Sequence, residues 1–242
     1  MSIEQAHALL TAPGTPLEVG EEDVHGIRMK VWKNAPPTLR EIYALGAMFG
    51  ARDHLVFEDE RATVAAFQAA ANRLAHQLIA DDVKPGDRVA VIMRNLPEWP
   101  VAFWGAVLAG TIVTPLNAWW TGPELEYGLK NSGASLAIVD VERYERIREH
   151  VDNCPDLRKI YVSRSKEDIA DPRVERLESI IGTTADWPSI AANAPPAITA
   201  CPIRHPSYPS PRSFRPNDDT ISTTNSPSET RPAVMCHGAA SG

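Results

Sequence analysis

Residues 87–120, DRVAVIMRNLPEWPVAFWGAVLAGTIVTPLNAWW, decide the fold. No charged side chain occurs from Trp99 to Trp120. An uncharged apolar run of about 18 residues or more is the usual signal of a membrane span. Here Pro100, Gly105, Gly110, Thr111, Thr114, Pro115 and Asn117 cut the run into two short pieces, which argues against a span. Val101 to Ala109 suits a buried helix, and Gly110 suits its stop, because glycine takes the left-handed cap conformation cheaply. Thr111 to Thr114 is β-branched throughout and reads as a strand. Arg88 to Met93 is apolar at nearly every position, the pattern of a strand buried on both faces. Strand, loop, buried helix and strand together make a βαβ unit in the heart of a parallel sheet.

Upstream, Lys84-Pro85-Gly86-Asp87 is a type II turn, with Pro and Gly at its two central positions. Thr63 opens a helix whose stripe is Val64, Phe67, Ala71, Leu74, Leu78 and Ile79, as wide as a helix laid on a sheet requires. His54 to Phe57 is a short strand, followed by a turn at Asp59-Glu60-Arg61. Further back, Thr38 caps a helix through Leu39, Ile42, Leu45 and Met48. Val24 to Lys33 is an outer strand ended by Pro36-Pro37, and Ser2 caps a helix to Leu10.

Downstream, Thr121-Gly122-Pro123-Glu124 starts a helix with Pro and acidic residues in its first turn. Leu125, Leu129 and Tyr127 are expected to face inward, and Asn131-Ser132-Gly133 stops the helix. Leu136 to Val139 is a buried strand closed by Asp140. Val141 to Val151 is a helix whose many charges read as a solvated face. Leu157 to Val162 is a further strand, Glu167 to Glu178 a polar surface excursion, and Leu177 to Ile181 a short helix. Strand and helix thus alternate from residue 54 to 162, the signature of an open, mostly parallel α/β sheet flanked by helices. Ligands of such sheets bind at the carboxyl ends of the strands, here the segments after Met93, Thr114 and Val139. Trp99, Trp104, Trp119 and Trp120 are the obvious apolar wall, read first as core packing.

The 242 residues allow one large or two modest domains, and the net charge of −7 argues against non-specific nucleic-acid binding. Cys154, Cys201 and Cys236 make neither a CxxC pair nor a disulfide framework. The seven histidines show no ligand spacing, so no metal site is expected. The first ten residues lack a basic stretch and a long apolar core, so a secretory signal is not expected and a cytoplasmic location is. Composition changes near Pro195: residues 195–232 hold nine of the 21 prolines, and no lysine follows Lys166. The expected division is a 1–190 α/β body and a proline-rich, poorly ordered 191–242 tail.

In order and wording these segments resemble the N-terminal part of the adenylate-forming acyl-CoA synthetases, the fatty-acyl and medium-chain members above all. The resemblance is carried by VWKNAPPTLREIY, the F-x-D-E-R-x-T-x-x-x-F opening, the VKPGDRVAVIM…NSGA run and LAIVD, and covers about Asp23 to Ile181. It implies a parent reaction in which a carboxylic (fatty) acid attacks ATP to give acyl-AMP and pyrophosphate, after which CoA displaces AMP, with Mg2+ assisting. No residue within the matching span is implied to be catalytic.

The resemblance also implies an ATP phosphate loop in residues 217–240, where small hydroxyl residues and glycines wrap the phosphates and a lysine neutralises charge. The flanks match, Asp218-Asp219-Thr220-Ile221 on one side and Ala233-Val234-Met235 with His237 to Ala240 on the other. The loop between them has no glycine and no lysine, Pro227 removes an amide donor, and Glu229 sets a negative charge where phosphate should lie. Thr223, Thr224, Ser226 and Thr230 remain as hydroxyl donors and Arg231 as the nearby cation: a degenerate cradle. A truncated synthetase from a disturbed reading frame, with negligible ligase activity of its own, is the expectation. The alternative is a non-catalytic α/β module that binds a ligand or a subunit. Self-association through exposed apolar surface is expected, rather than a membrane anchor.

Overall fold

The computed structural model describes residues 1–192 apart from 25, 37 and 168. A five-stranded parallel sheet organises them, in the order β6-β5-β7-β8-β9. Its strands are β5 (Arg88–Ile92), β6 (Ile112–Pro115), β7 (Ala134–Asp140), β8 (Lys159–Ser163) and β9 (Val174–Arg176). The connecting helices are α4 (Glu98–Ala109), α5 (Gly122–Ser132) and α6 (Val141–Ile147). Before the sheet come α1 (Ile3–Leu10), the hairpin β1 (Val19–Val24) and β2 (Ile27–Trp32), and α2 (Leu39–Leu45). The second hairpin, β3 (Asp53–Phe57) and β4 (Glu60–Thr63), then leads into α3 (Val64–Ala80). Two short helices, α7 (Glu178–Ile181) and α8 (Trp187–Ala192), follow β9.

Strand periodicity divides each central strand between two cores. Val89, Val91, Leu136, Ile138 and Tyr161 join α3 and α4 in one apolar cluster. Their neighbours Ala90, Ile92, Ala137, Val139, Ile160 and Val162 join residues of α5 and α6 in the other. A sheet covered on both faces needs strands that are apolar at every position, which is why β5 and β7 read as runs rather than alternations. The uncharged 99–120 run therefore divides: α4 is largely interior and stops at Gly110 in the left-handed conformation (φ 86°), whereas β6 pairs with β5 at the edge of the described sheet with Ile112 46% exposed. Among the described residues no helix is long and apolar enough to cross a membrane.

Most elements fall where their local signals placed them. Ser2 and Gln5 form a reciprocal capping box at α1, and Thr121 and Glu124 do so at α5. Thr63 caps α3 through the Ala66 amide, and Gly133 (φ 61°) stops α5. Gly86 (φ 89°) takes the left-handed position of the turn into β5, closed by the Asp87 N–H to Lys84 C=O bond of 3.0 Å.

Other expectations are corrected. β1 pairs antiparallel with β2 although its acidic sequence carries no alternation. β4 stands partly where a turn was expected, since Glu60 and Arg61 pair with Phe57 and Val56. The polar 167–178 excursion returns β9 to the sheet edge, where Val174 to Arg176 pair with Ile160 to Val162. Helix α4 begins three residues before Val101, because Pro100 in the first turn removes an N–H that has no helical partner there anyway. The expected 141–151 helix ends at Ile147, with a separate 3-10 turn at Val151–Asn153. Tyr127 is 68% exposed and Ile79 is 47% exposed, each at the margin of its helix's apolar face. Leu39, Ile42, Leu45 and Met48 also lie outward, and Tyr43 is the inward residue of α2. Four residues at a strict spacing of three drift around an α-helix, and here the helix gives way to a 3-10 turn at Gly46.

Candidate nucleotide-facing edge of the sheet

The segments that follow the carboxyl ends of β5 and β7 meet on one side chain, Asp140. It is the last residue of β7 and the N-cap of α6. Its Oδ2 accepts the Arg94 backbone N–H at 2.9 Å, fixing the turn out of β5. Its Oδ1 accepts the Arg143 backbone N–H at 2.9 Å, fixing the first turn of α6. An acceptor that satisfies amides from two elements explains why the strand closes on an aspartate.

Arg143 is only 1% exposed, so the solvated face expected for α6 fails at this residue. Its Nη1 lies 3.4 Å from Asp140 and 2.8 Å from Glu142, and its Nε donates to the Ala118 carbonyl at 2.8 Å. Arg146 reaches the same loop, donating to the Trp120 carbonyl at 3.1 Å. Two arginines on α6 thus hold the 116–120 loop in place by its backbone oxygens. The Glu142 carboxyl is held below its ordinary range, chiefly by the charge of Arg143. Arg143 Nη2 is buried and has no hydrogen-bond partner.

The loop so held presents Trp119. Its indole is 66% exposed, an unusual state for a tryptophan. The Arg94 guanidinium stacks over the ring at 4.0 Å from its centroid, and that of Arg143 lies at 5.9 Å. The exposed indole with the exposed Arg94 guanidinium beside it is complementary to a planar, anionic group, whereas Arg143 is buried and paired with Asp140 and Glu142. The tryptophan wall therefore divides. Trp99 and Trp104 pack against the α3–α4 core, Trp120 packs against the α5–α6 core, and Trp119 does not serve as packing.

A groove opens on the other side of the same β5–α4 loop, lined by Leu55, Val56 and Phe57 of β3 and by Asn95, Leu96, Pro97, Trp99 and Pro100. Among the described residues no group of three His, Cys, Asp or Glu side chains could hold a metal ion. Cys154 is a buried free thiol whose pKa burial pushes up, so it is a poor nucleophile. Thr223, Thr224, Ser226, Thr230 and Arg231, the residues of the degenerate phosphate loop, lie outside the described residues. Sequence reasoning located the three strand ends but missed Arg94, Asp140, Arg143 and Trp119 as a group. A strand-final Asp followed three residues later by Arg was the available signal.

A parallel sheet whose carboxyl ends carry a cationic, aromatic surface is an arrangement of nucleotide-dependent α/β enzymes. The sequence model of the AMP-binding enzyme family matches residues 45–235, and the chain belongs to that family. It is similar to the crotonobetaine/carnitine–CoA ligase of Salmonella paratyphi C, 34% identical over 122 residues, or 48% of this chain and 24% of that protein. A medium/long-chain-fatty-acid–CoA/3-oxocholest-4-en-26-oate–CoA ligase of Mycobacterium tuberculosis is 35% identical over 138 residues, covering 57% and 24% of the two chains. The crystal structure of coronafacic acid ligase from Pectobacterium brasiliense superposes with a TM-score of 0.55. At 19% identity, over 59% of this chain and 29% of that one, it shows the shared fold. The chain spans about a quarter of the length of the curated relatives it matches.

Proposed function

We propose that this chain is the N-terminal α/β portion of an acyl-CoA synthetase. The reaction it belongs to is ATP-dependent activation of a carboxylic acid, of the fatty or medium-chain class, to acyl-AMP and then acyl-CoA. The observation that carries this reading is the exposed Arg94–Trp119 surface at the carboxyl ends of the central strands, its loop held by the buried Arg143. Both ATP and CoA combine a planar base with phosphates. Trp119 can stack on a base, while the exposed Arg94 faces the charge that accompanies it and the buried Arg143 holds the loop in place. Asp140 serves as the positioning residue that holds Arg94 and Arg143 on their loops.

The 242-residue protein alone has negligible ligase activity on this reading. The 222–231 stretch, STTNSPSETR, contains neither glycine nor lysine, so the glycines that let a backbone wrap phosphates are missing from it and Arg231 is its single cation. The alternative is a non-catalytic α/β module that keeps the nucleotide-facing surface and binds a ligand or a related subunit. Its support is the same exposed Trp119, which no packing role explains.

Two measurements on the purified protein test these readings. Hydroxylamine trapping with ATP, Mg2+ and a fatty acid is expected to yield no acyl-hydroxamate, and a catalytic yield overturns the inactivity. Titration with CoA or ATP is expected to change tryptophan fluorescence in the wild type and not in Trp119→Leu. A response that persists in Trp119→Leu removes this surface as the nucleotide site.

A further inference from the structure

Arg164, immediately after β8, has a left-handed backbone (φ 59°) that an arginine adopts only under constraint. Its side chain explains the constraint. On one side, Nε donates to both oxygens of Glu98 at 3.1 and 3.2 Å, and Nη2 lies 3.0 Å from Oε1. On the other, Nη1 and Nη2 reach Glu60 at 2.9 and 3.1 Å. The guanidinium lies over the Phe57 ring, 5.2 Å from its centroid. Its backbone N–H donates to Glu178 of α7 at 2.5 Å, and the Thr184 hydroxyl donates to Glu60 at 2.5 Å. Arg164 thus joins β4, α4 and α7, and the turn before α8 joins through Glu60.

Glu98 sits at the first position of α4 and is 4% exposed. Glu60 opens β4 in the second hairpin. These are the two walls of the apolar groove, since the hairpin supplies Leu55 to Phe57 and the approach to α4 supplies Asn95 to Pro100. Apart from the clasp, the hairpin is anchored at its α3 end, where Ala62 is buried, Leu55 packs on the core and His54 lies 4.7 Å from the Phe67 ring, whereas Val56 near its tip is 63% exposed. A planar fork with two carboxylates on separate elements fixes distance and angle together.

We propose that Arg164 is a clasp that locks the β3–β4 hairpin onto the first turn of α4, making the hairpin a separately opening flap and setting the width of the groove beneath it. The sheet does not depend on the clasp, because β5 and β7 are held by parallel pairing and by the two cores. Opening the flap is a local event with its own free energy, smaller than that of global unfolding.

The test is amide hydrogen exchange on the full 242-residue protein, read by peptide. Arg164→Gly removes the guanidinium and keeps the left-handed backbone without steric cost. Glu60→Ala cuts the hairpin side of the fork together with the Thr184 bond, and Thr184→Ala, which removes that bond alone, is expected to leave hairpin exchange close to wild type. In Arg164→Gly and Glu60→Ala amides of residues 53–63 are expected to exchange about tenfold faster or more, while those of β5 and β7 keep their wild-type protection. Unchanged exchange in the hairpin of folded Glu60→Ala overturns the clasp. So does an equal acceleration in β5 and β7, which makes the effect global. If Arg164→Gly fails to fold, Glu60→Ala decides alone.

Discussion

The segment from Arg88 to Asp140 and the segment from Met1 to Phe49 are both rich in regular structure, yet they differ in what covers them. In the first, Val89, Ala90, Val91, Ile92, Leu136, Ala137, Ile138 and Val139 are completely buried. In the second, Tyr43 is the one buried apolar residue among those described, while Ile27, Trp32, Ile42, Leu45 and Met48 are all roughly half exposed or more. Local signals are equally good in both: Ser2 and Thr38 cap their helices as well as Thr121 and Asp140 do. Capping and turn chemistry make an element, but layering decides whether its apolar residues contribute to stability.

The largest expected effect tests that contrast directly. Leu74 lies at 0% exposure between α3 and α4, and Ile42 at 47% on the outer side of α2. Leu74→Ala should cost about 2–5 kcal/mol. Ile42→Ala should stay within about 0.5 kcal/mol. Urea unfolding of both variants measures the difference, and equal losses would mean that the N-terminal segment is covered in solution.

A smaller effect sharpens the packing side of the comparison. A methyl group at Gly105 would meet Leu74 at 2.8–3.0 Å, whereas one at Gly14 or Gly26 meets nothing within 4 Å. Gly105→Ala should therefore destabilise by about 1–3 kcal/mol, despite alanine's better helix propensity. Recovery in the double variant with Leu74→Ala would confirm steric overlap as the cause, and a neutral Gly105→Ala would show that α3 and α4 have room to move apart.

The smallest effect is a pH dependence at the junction of hairpin and sheet. Burial raises the Glu98 carboxyl above its ordinary range, against the opposing pull of Arg164. Glu98 therefore adds stability at low pH that is lost as pH rises through its folded pKa. At Glu60 burial also pushes upward, but hydrogen bonds from Arg164 and Thr184 outweigh it and the pKa is lowered. Glu60 adds stability above its unfolded pKa that is lost as pH falls through the folded one. The two slopes oppose each other in the acidic range. Glu98→Gln leaves the Glu60 slope alone, so it should gain on the wild type as pH rises from about 4 to about 7. Urea midpoints at several pH values measure this, and a constant offset between the two proteins would remove Glu98 from the account.

Much of the fold was legible because strand runs, helix stripes, caps and turn glycines are short-range physics. Arg88 to Met93, the Thr63 cap and stops at Gly110 and Gly133 needed nothing beyond the neighbouring residues. β1 and β9 were not legible, because an edge strand is defined by the partner it pairs with: Glu21 and Glu22 carry no strand signal until β2 lies alongside. The site was half legible. The rule that ligands gather at strand ends located the loops after Met93, Thr114 and Val139, but not which side chains they hold.

The sequence by itself determined the alternation of strands and helices, the break of the uncharged 99–120 run into a buried helix and a short strand, and the resemblance to the AMP-binding enzymes, since each is written in residue order and periodicity. Only the tertiary structure decided that Arg143 is buried, that Trp119 is open under Arg94, and that Arg164 joins Glu60 and Glu98 across 104 and 66 residues of chain. Those roles rest on long-range charge pairing and burial, and the type of a residue does not reveal either until the chain has folded around it.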